Sequence, residues 1–329
     1  MQRTLLQDAG ILKRRIIRMP FVQSEIGWEG APVRSQREGE NRIAFRVGGT
    51  TFGLRSGRDM LLALDPGLRD FAVQSNACDV RIEVGWTDDL ELPRAKALFD
   101  SGGLWSVFEE SGGYRFYFTT PHLGSAPYKA AWFDPEFRCG HLVMYRSYFD
   151  TSRPIYPLEY PLDELLMIHR LACGEGVETH AVGIVDDAGR GHLFLGHSGA
   201  GKSTTARLWM AQPGTRVLSD DRMILRVRDG RIWMYGTPWH GDAGIASPDC
   251  APLSRIYLLE HSHTTELIAV SPGRAAAELF ARSFVPHHSP KGVQFTLEFL
   301  DRVARSIPCS VFRFSPDISA VEAIRRAAA

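Results

Sequence analysis

The chain has 329 residues, 44% hydrophobic and 23% charged, with 38 Lys and Arg against 38 Asp and Glu. That is a globular composition, long enough for one large domain or two smaller ones. A formal net charge of zero excludes the basic character expected of a nucleic-acid partner, and no apolar run is long enough to expect a membrane-crossing helix.

Residues 1–40 read as an irregular N-terminal extension. Its first part is basic, with Arg3, Lys13, Arg14, Arg15 and Arg18 against Asp8, but it lacks the apolar core and cleavage site of a signal peptide. From about Ile43 the pattern turns to strands, and 41–155 reads as a β-rich unit. Val80, Ile82 and Val84 alternate with charged residues, as a half-buried strand does. Trp105–Glu109 and Tyr114–Phe118 flank Ser111-Gly112-Gly113 and predict a hairpin. Tyr128–Phe133 and Leu142–Tyr145 read as further strands. Five cysteines (Cys78, Cys139, Cys173, Cys250 and Cys309) are widely spaced with no C-x-x-C pair. Neither a disulfide framework nor a structural zinc site is expected; each reads as a small core residue in a reducing cytoplasm.

Pro154, Pro157 and Pro161 mark a connector, and 156–329 reads as a second, α/β unit. A helix is predicted over Leu162–Cys173, with Leu162, Leu165, Leu166 and Leu171 near one face. Strands Ala181–Val185 and His192–Leu195 bracket a turn at Asp187–Gly191. A helix then runs to about Met210 and stops at Pro213-Gly214. Arg216–Leu218 is a strand leading into Asp220-Asp221. Met223–Arg228 and Arg231–Tyr235 surround Asp229-Gly230, a two-residue hairpin signal, and Arg255–Leu259 is another strand. Ser271-Pro272 and Ser315-Pro316 each place a capping hydroxyl before a proline and predict helix starts. Val293–Ser306 is amphipathic, with Leu297, Leu300, Val303, Ala304 and Ile307 on the expected apolar face.

Between strand and helix stands Gly196-His197-Ser198-Gly199-Ala200-Gly201-Lys202-Ser203, followed by Thr204. It fits G-x-x-x-x-G-K-[ST], the phosphate-binding P-loop. Glycines allow positive φ and close backbone approach, successive N–H groups cradle the anion, and the helix start adds its positive end. Lys202 is expected at the β- and γ-phosphates of ATP and the Ser203 hydroxyl at Mg2+. His197 is expected to face solvent. Downstream, Asp220 and Asp221 supply two carboxylates, one for the metal and one to orient or deprotonate an acceptor hydroxyl. Repulsion between them is expected to raise one pKa. The bland alternative is a polar turn before the hairpin.

The run from Gly196 to Ser203, one helix, and a strand ending Ser219-Asp220-Asp221-Arg222 resembles the core of HPr kinase/phosphorylase, a fold similar to the ATP-dependent phosphoenolpyruvate carboxykinases. The resemblance spans about Leu162 to Arg255. It implies an α/β P-loop NTPase core with a mixed sheet, one Asp acting as base toward a serine hydroxyl, and His180, sixteen residues before Gly196, in the site. One departure stands out. The L-E-x-R-G-x-G segment of HPr kinases is absent, and Tyr235-Gly-Thr-Pro-Trp-His-Gly-Asp242 stands in its place. Asp242 is a candidate for the missing acidic group at the metal, and the loop is equally readable as structural. HPr itself is therefore in doubt as the substrate.

The expectation is a kinase using ATP and Mg2+ on a serine of a peptide or protein, with no nucleic-acid or membrane partner; relatives form hexamers, which leaves a homo-oligomer open. The alternatives are a small-molecule kinase and a nucleotide-sensing module without turnover. His261-x-His263 and His287-His288 lack the spacing of a metal site, and Lys291 reads as a surface residue.

Overall fold

The computed structural model describes residues 40–328 apart from Ser111, Ser125 and Ser198. The readings of the N-terminal extension before Glu40, of Ser111 in the hairpin and of Ser198 in the glycine-rich loop lie outside the described residues.

The architecture is mixed α/β, with two sheets. The first contains β1 (Asn41–Val47), β2 (Thr50–Ser56), β3 (Val80–Thr87), β4 (Phe99–Asp100), β5 (Trp105–Glu110), β6 (Gly113–Thr119), β7 (Pro127–Phe133) and β8 (Cys139–Tyr145). Its order is β1-β2-β3-β8-β7-β6-β5-β4. β5 and β6 form the expected antiparallel hairpin, and β3 lies parallel to both β2 and β8. Phe52, Ile82, Phe116, Phe133 and Leu142 from these strands pack against Leu162, Leu166 and Leu171 of α1 (Leu162–Ala172). Ile224 of the second sheet joins the same cluster, so the two sheets share apolar contacts.

The second sheet is organised around β9 (Gly176–Val185), which runs well beyond the predicted segment because it is buried on both faces along almost its whole length. On one side β9 pairs antiparallel with β11 (Arg216–Ser219) and β12 (Arg222–Arg228) in turn. On the other it pairs with β10 (Gly191–Leu195) over its second half and with the short β16 (Ser283–Phe284) over its first. β13 (Arg231–Tyr235), β14 (Cys250–His261), β17 (Cys309–Phe314) and β15 (Glu266–Ala269) extend the sheet, and β10 also lies parallel to β14.

Helices cover both faces of this sheet. α3 (Pro272–Phe280) and α4 (Pro290–Ser306) bury Leu279, Phe299, Leu300 and Val303 against Val177, Leu193 and Leu258. α2 (Lys202–Met210) and α5 (Ile318–Ala328) bury Trp209, Val321 and Ile324 against Val182, Phe194 and Tyr257 on the other. A strand covered on both faces becomes a continuous apolar run, which is why Leu193-Phe194-Leu195 is fully buried.

Three local expectations change. α5 begins at Ile318 rather than after Ser315, because the Asp317 carboxylate accepts from the Ser319 amide at 2.8 Å and takes over the cap. Leu297 is 49% exposed; the buried face of α4 is drawn instead through Thr296, Phe299, Leu300, Val303 and Ala304. Of the cysteines only Cys309 is buried, whereas Cys78, Cys139 and Cys250 are half-buried and Cys173 is exposed. The Asp229-Gly230 hairpin forms as predicted, with φ of 51° and 75° at its two central residues. Among the described residues no helix is long and apolar enough to cross a membrane.

Candidate functional site

β10 ends at Leu195 and α2 begins at Lys202, so residues 196–201 form the link from a buried strand to a helix N-terminus. Gly199 and Gly201 take φ of 80° and 99°, a region that side chains with a Cβ rarely occupy. A Cβ on Gly201 would also stand 2.8 Å from the Phe314 ring. The Lys202 ammonium curls back over the loop and donates to the carbonyls of Gly196 at 2.9 Å and His197 at 3.2 Å. Burial lowers its pKa from the ordinary lysine value, Asp221 works against that, and Arg282 and Arg222 add to the lowering. Ser203 and Thr204 lie half-buried in the first turn of α2, where backbone amides have no helical partner. The loop is braced from outside: His261 Nε2 lies 2.7 Å from the Gly199 carbonyl, and its ring stacks on Phe314.

Asp220 and Asp221 link β11 to β12 beside the centre of β9. Their environments differ completely. Asp220 is 2% exposed, and its carboxylate accepts the amides of Gly241 at 3.0 Å, Ala243 at 2.8 Å and Ile245 at 3.3 Å. The carboxylate expected at a metal is thus turned into the loop that follows β13. Asp221 stays accessible, with Oδ1 2.8 Å from His180 Nε2 and Oδ2 accepting from Arg222 Nη1. Burial pushes the Asp221 carboxyl up. The His180 hydrogen bond and the charges of Arg222, His180 and Lys202 outweigh it and hold the group below the usual carboxylate range. The raised pKa anticipated from mutual repulsion does not arise at Asp221, where His180, Arg222 and Lys202 outweigh burial.

His180 faces Arg222 across the β9–β12 pair. It also stands where β10 has ended and β16 has not yet begun, and its amide donates to the Arg282 carbonyl at 2.7 Å. β16 therefore carries Arg282 to the rim of the glycine-rich loop. There its Nη2 lies 2.9 Å from His197 Nε2, while Nη1 is held by the Glu278 carboxylate at 2.5 Å. His197 is exposed, as expected, but engaged. Behind Asp221, the Arg222 guanidinium stacks 4.3 Å over Phe284 and donates through Nε to Glu164 at 2.6 Å, with Glu178 at 3.9 Å. Burial first, and the charge of Glu164 second, push the Glu178 carboxyl well up, so Arg222 serves Asp221 and Glu164 as its two charged partners.

The structure therefore brings Lys202, His180 and Asp221 together at the open side of the Gly196–Ser203 loop. It turns Asp220 into the 236–249 loop and leaves Asp242 exposed on the surface of that loop. Among the described residues no group of three or more His, Cys, Asp and Glu is arranged to hold a metal ion. Sequence reading assigns no role to Arg282, Glu164 or His261, and carries Arg222 only as the end of the Ser219-Asp220-Asp221-Arg222 run. Arg282 reaches the site through a strand of only two residues and carries no motif of its own. His261 had been weighed only as half of an H-x-H pair.

No family model matches the chain, and no curated protein matches it. Among solved structures, the Hpr(Ser) kinase/phosphatase from Coxiella burnetii aligns over 46% of this chain and 89% of its own, at 12% identity and a TM-score of 0.27. A likeness of that degree carries no argument, and the site is read from its own residues.

Proposed function

We propose that this protein is an ATP- and Mg2+-dependent kinase that transfers the γ-phosphoryl group to a hydroxyl, most simply a serine of a peptide or protein. The observation that carries the reading is the convergence of Lys202, Arg282 and the His180–Asp221 pair around the Gly196–Ser203 loop. Phosphoryl transfer asks for positioning and charge stabilisation more than covalent chemistry, and this arrangement offers both.

The residues fit a nucleoside triphosphate. Positive-φ glycines and the first amides of α2 suit close approach of phosphate oxygens, and Lys202 already spans two loop carbonyls from which it can turn to an anion. The Ser203 hydroxyl would hold magnesium together with phosphate oxygens and water, the sparse protein ligation this ion accepts. Bound magnesium would supply charge neutralisation at the transferring group. Asp220, its oxygens facing three amides, positions the 241–245 loop instead.

Asp221 then orients the acceptor hydroxyl. Its depressed pKa keeps it ionised at neutral pH, so it accepts a hydrogen bond from that hydroxyl and receives the proton only as the oxygen becomes bonded to phosphorus. His180 fixes the rotamer of Asp221 from one side and Arg222 from the other. Arg282 would meet the charge that develops on the transferring phosphoryl group.

The test has two steps. Calorimetric titration of MgATP into the wild type and Lys202→Ala should show binding that the variant loses. Radiolabelled transfer from ATP to a serine-containing peptide array, compared with a metabolite set, should then label peptides and fail with Asp221→Asn. Wild-type protein that is folded yet binds no MgATP, or Asp221→Asn that labels at the wild-type rate, would overturn the reading. Labelling of the metabolite set alone would keep the kinase and replace the acceptor.

A further inference from the structure

A cavity of about 600 Å³ opens where the two sheets meet, away from the glycine-rich loop. One wall comes from the first sheet: the β1–β2 turn at Gly48-Gly49, with Arg46 beside it and Phe71 and Val73 below. The opposite wall is the β12–β13 hairpin, with Arg226, Arg228 and Tyr235. The turn is wedged firmly onto that hairpin. Arg226 Nη1 donates to the Gly48 carbonyl at 2.6 Å and to the Thr50 hydroxyl at 3.0 Å, and a Cβ on Gly48 would strike Ile224 at 2.7 Å.

Charge in this cleft is unbalanced. Three guanidinium groups line it against one carboxylate, Asp70. Arg226 is neutralised by Glu175 at 2.7 Å. Arg46 donates to the Thr51 hydroxyl at 3.0 Å and has no carboxylate partner among the described residues. Arg228 lies 4.9 Å over the Trp233 ring and hydrogen-bonds to Tyr235, and its one carboxylate partner among the described residues is the solvent-exposed Asp229 at 3.5 Å. Two arginines are therefore available to an anion, beside the half-buried Val73 and Tyr235.

The cleft is also tied to the catalytic end. The loop over 236–249 leaves it at Tyr235, passes Gly241 so close to the acidic pair that a Cβ there would lie 3.2 Å from Asp221 Cβ, and returns at Pro248 and Cys250. On β12, Arg222, Arg226 and Arg228 alternate onto one face, so the available Arg228 stands roughly 20 Å from the residue that holds Asp221. That is the reach of about six extended residues.

From these observations we infer that the cleft is a docking site for an acidic peptide segment: a stretch carrying Asp or Glu among apolar residues, about six positions from the phosphorylated serine. The inference rests on the peptide-acceptor reading above and names what that peptide carries. Carboxylates would pair with Arg46 and Arg228, and apolar side chains would cover Val73 and Tyr235. Binding would be salt-sensitive, because the arginines are at the surface.

The test uses the full-length protein without nucleotide and a fluorescein-labelled decapeptide of alternating Glu and Leu. Fluorescence anisotropy should show saturable binding that weakens at least tenfold when Gln replaces every Glu, and at least tenfold in the double variant Arg46→Gln/Arg228→Gln. The charge-reversed Arg46→Glu/Arg228→Glu protein should instead bind the decapeptide in which Lys replaces Glu. Circular dichroism would check that both variants fold, and MgATP should leave the bound peptide in place. No binding to the wild type, equal binding of the Gln peptide, or full binding by the double Gln variant would overturn the inference. So would displacement by MgATP, or preference for a ten-nucleotide oligothymidylate over the Glu peptide. MgATP titration with Lys202→Ala is independent of all these outcomes, so failure here and failure of the kinase reading are separable.

Discussion

Replacing Asp220 by Asn tests whether its carboxylate anchors the 236–249 loop. The wild-type carboxylate takes two amides on Oδ1, from Gly241 and Ile245, and one on Oδ2, from Ala243, in a setting only 2% exposed. Asparagine keeps one oxygen, which can still accept from Gly241 and Ile245, but its NH2 group then faces the Ala243 N–H, donor against donor. One charge-assisted bond is lost, worth about 1.5–3 kcal/mol, and two others fall to neutral strength. Removing an inward-facing charge returns part of that, leaving a net loss of about 2–3 kcal/mol. For a chain of this size the melting temperature should fall by roughly 3–5 °C. Hydrogen exchange should accelerate at the amides of residues 241, 243 and 245. Asp221→Asn, at a group already partly exposed, should move the melting temperature far less. Asp220→Asn protein that melts with the wild type and keeps those three amides protected would refute the account of Asp220 as the anchor of this loop.

Two further outcomes are expected. Arg282→Ala should leave MgATP affinity within a few fold in calorimetry, yet slow phosphoryl transfer by about 10²-fold or more in single-turnover assays, because the guanidinium is placed to meet charge that develops during transfer. Asp163, at the start of α1, has its pKa raised by burial from 3.8 to about 7, against the amide of Glu164 that favours the charged form. Because its folded pKa lies above its unfolded one, its contribution to stability is fully present below about pH 4 and is lost as pH rises through 7. Asp163→Asn should therefore flatten the fall in thermal stability between pH 5 and pH 8; a wild-type and a variant profile that run parallel would refute this.

Much of the fold was legible because the signals are local. The Asp229-Gly230 turn needs two residues at positive φ, and those two residues tolerate it. Ser271-Pro272 caps α3 with its own hydroxyl, which accepts from Arg274. Ser315-Pro316 carries the same signal and fails, since Asp317 offers a carboxylate two residues later that takes the Ser319 amide and starts the helix there. Leu297 fits the helical period of α4 but points to solvent, because periodicity names a face and not its edge. β16 could not be read at all: two residues carry no alternation, and their strand exists only because β9 stands beside them.

At the site the same division holds. The sequence by itself determined the Gly196–Ser203 loop, whose geometry depends on consecutive backbone angles and on the strand and helix at its two ends. It also marked Asp220 and Asp221 as acids, without distinguishing them. Tertiary structure decided the rest: Asp220 faces amides more than twenty positions away, Asp221 faces His180 across a strand pair, and Arg282 arrives from beyond α3. A carboxylate takes its role from the donors and charges within a few ångströms, and those neighbours come together only when distant strands pair.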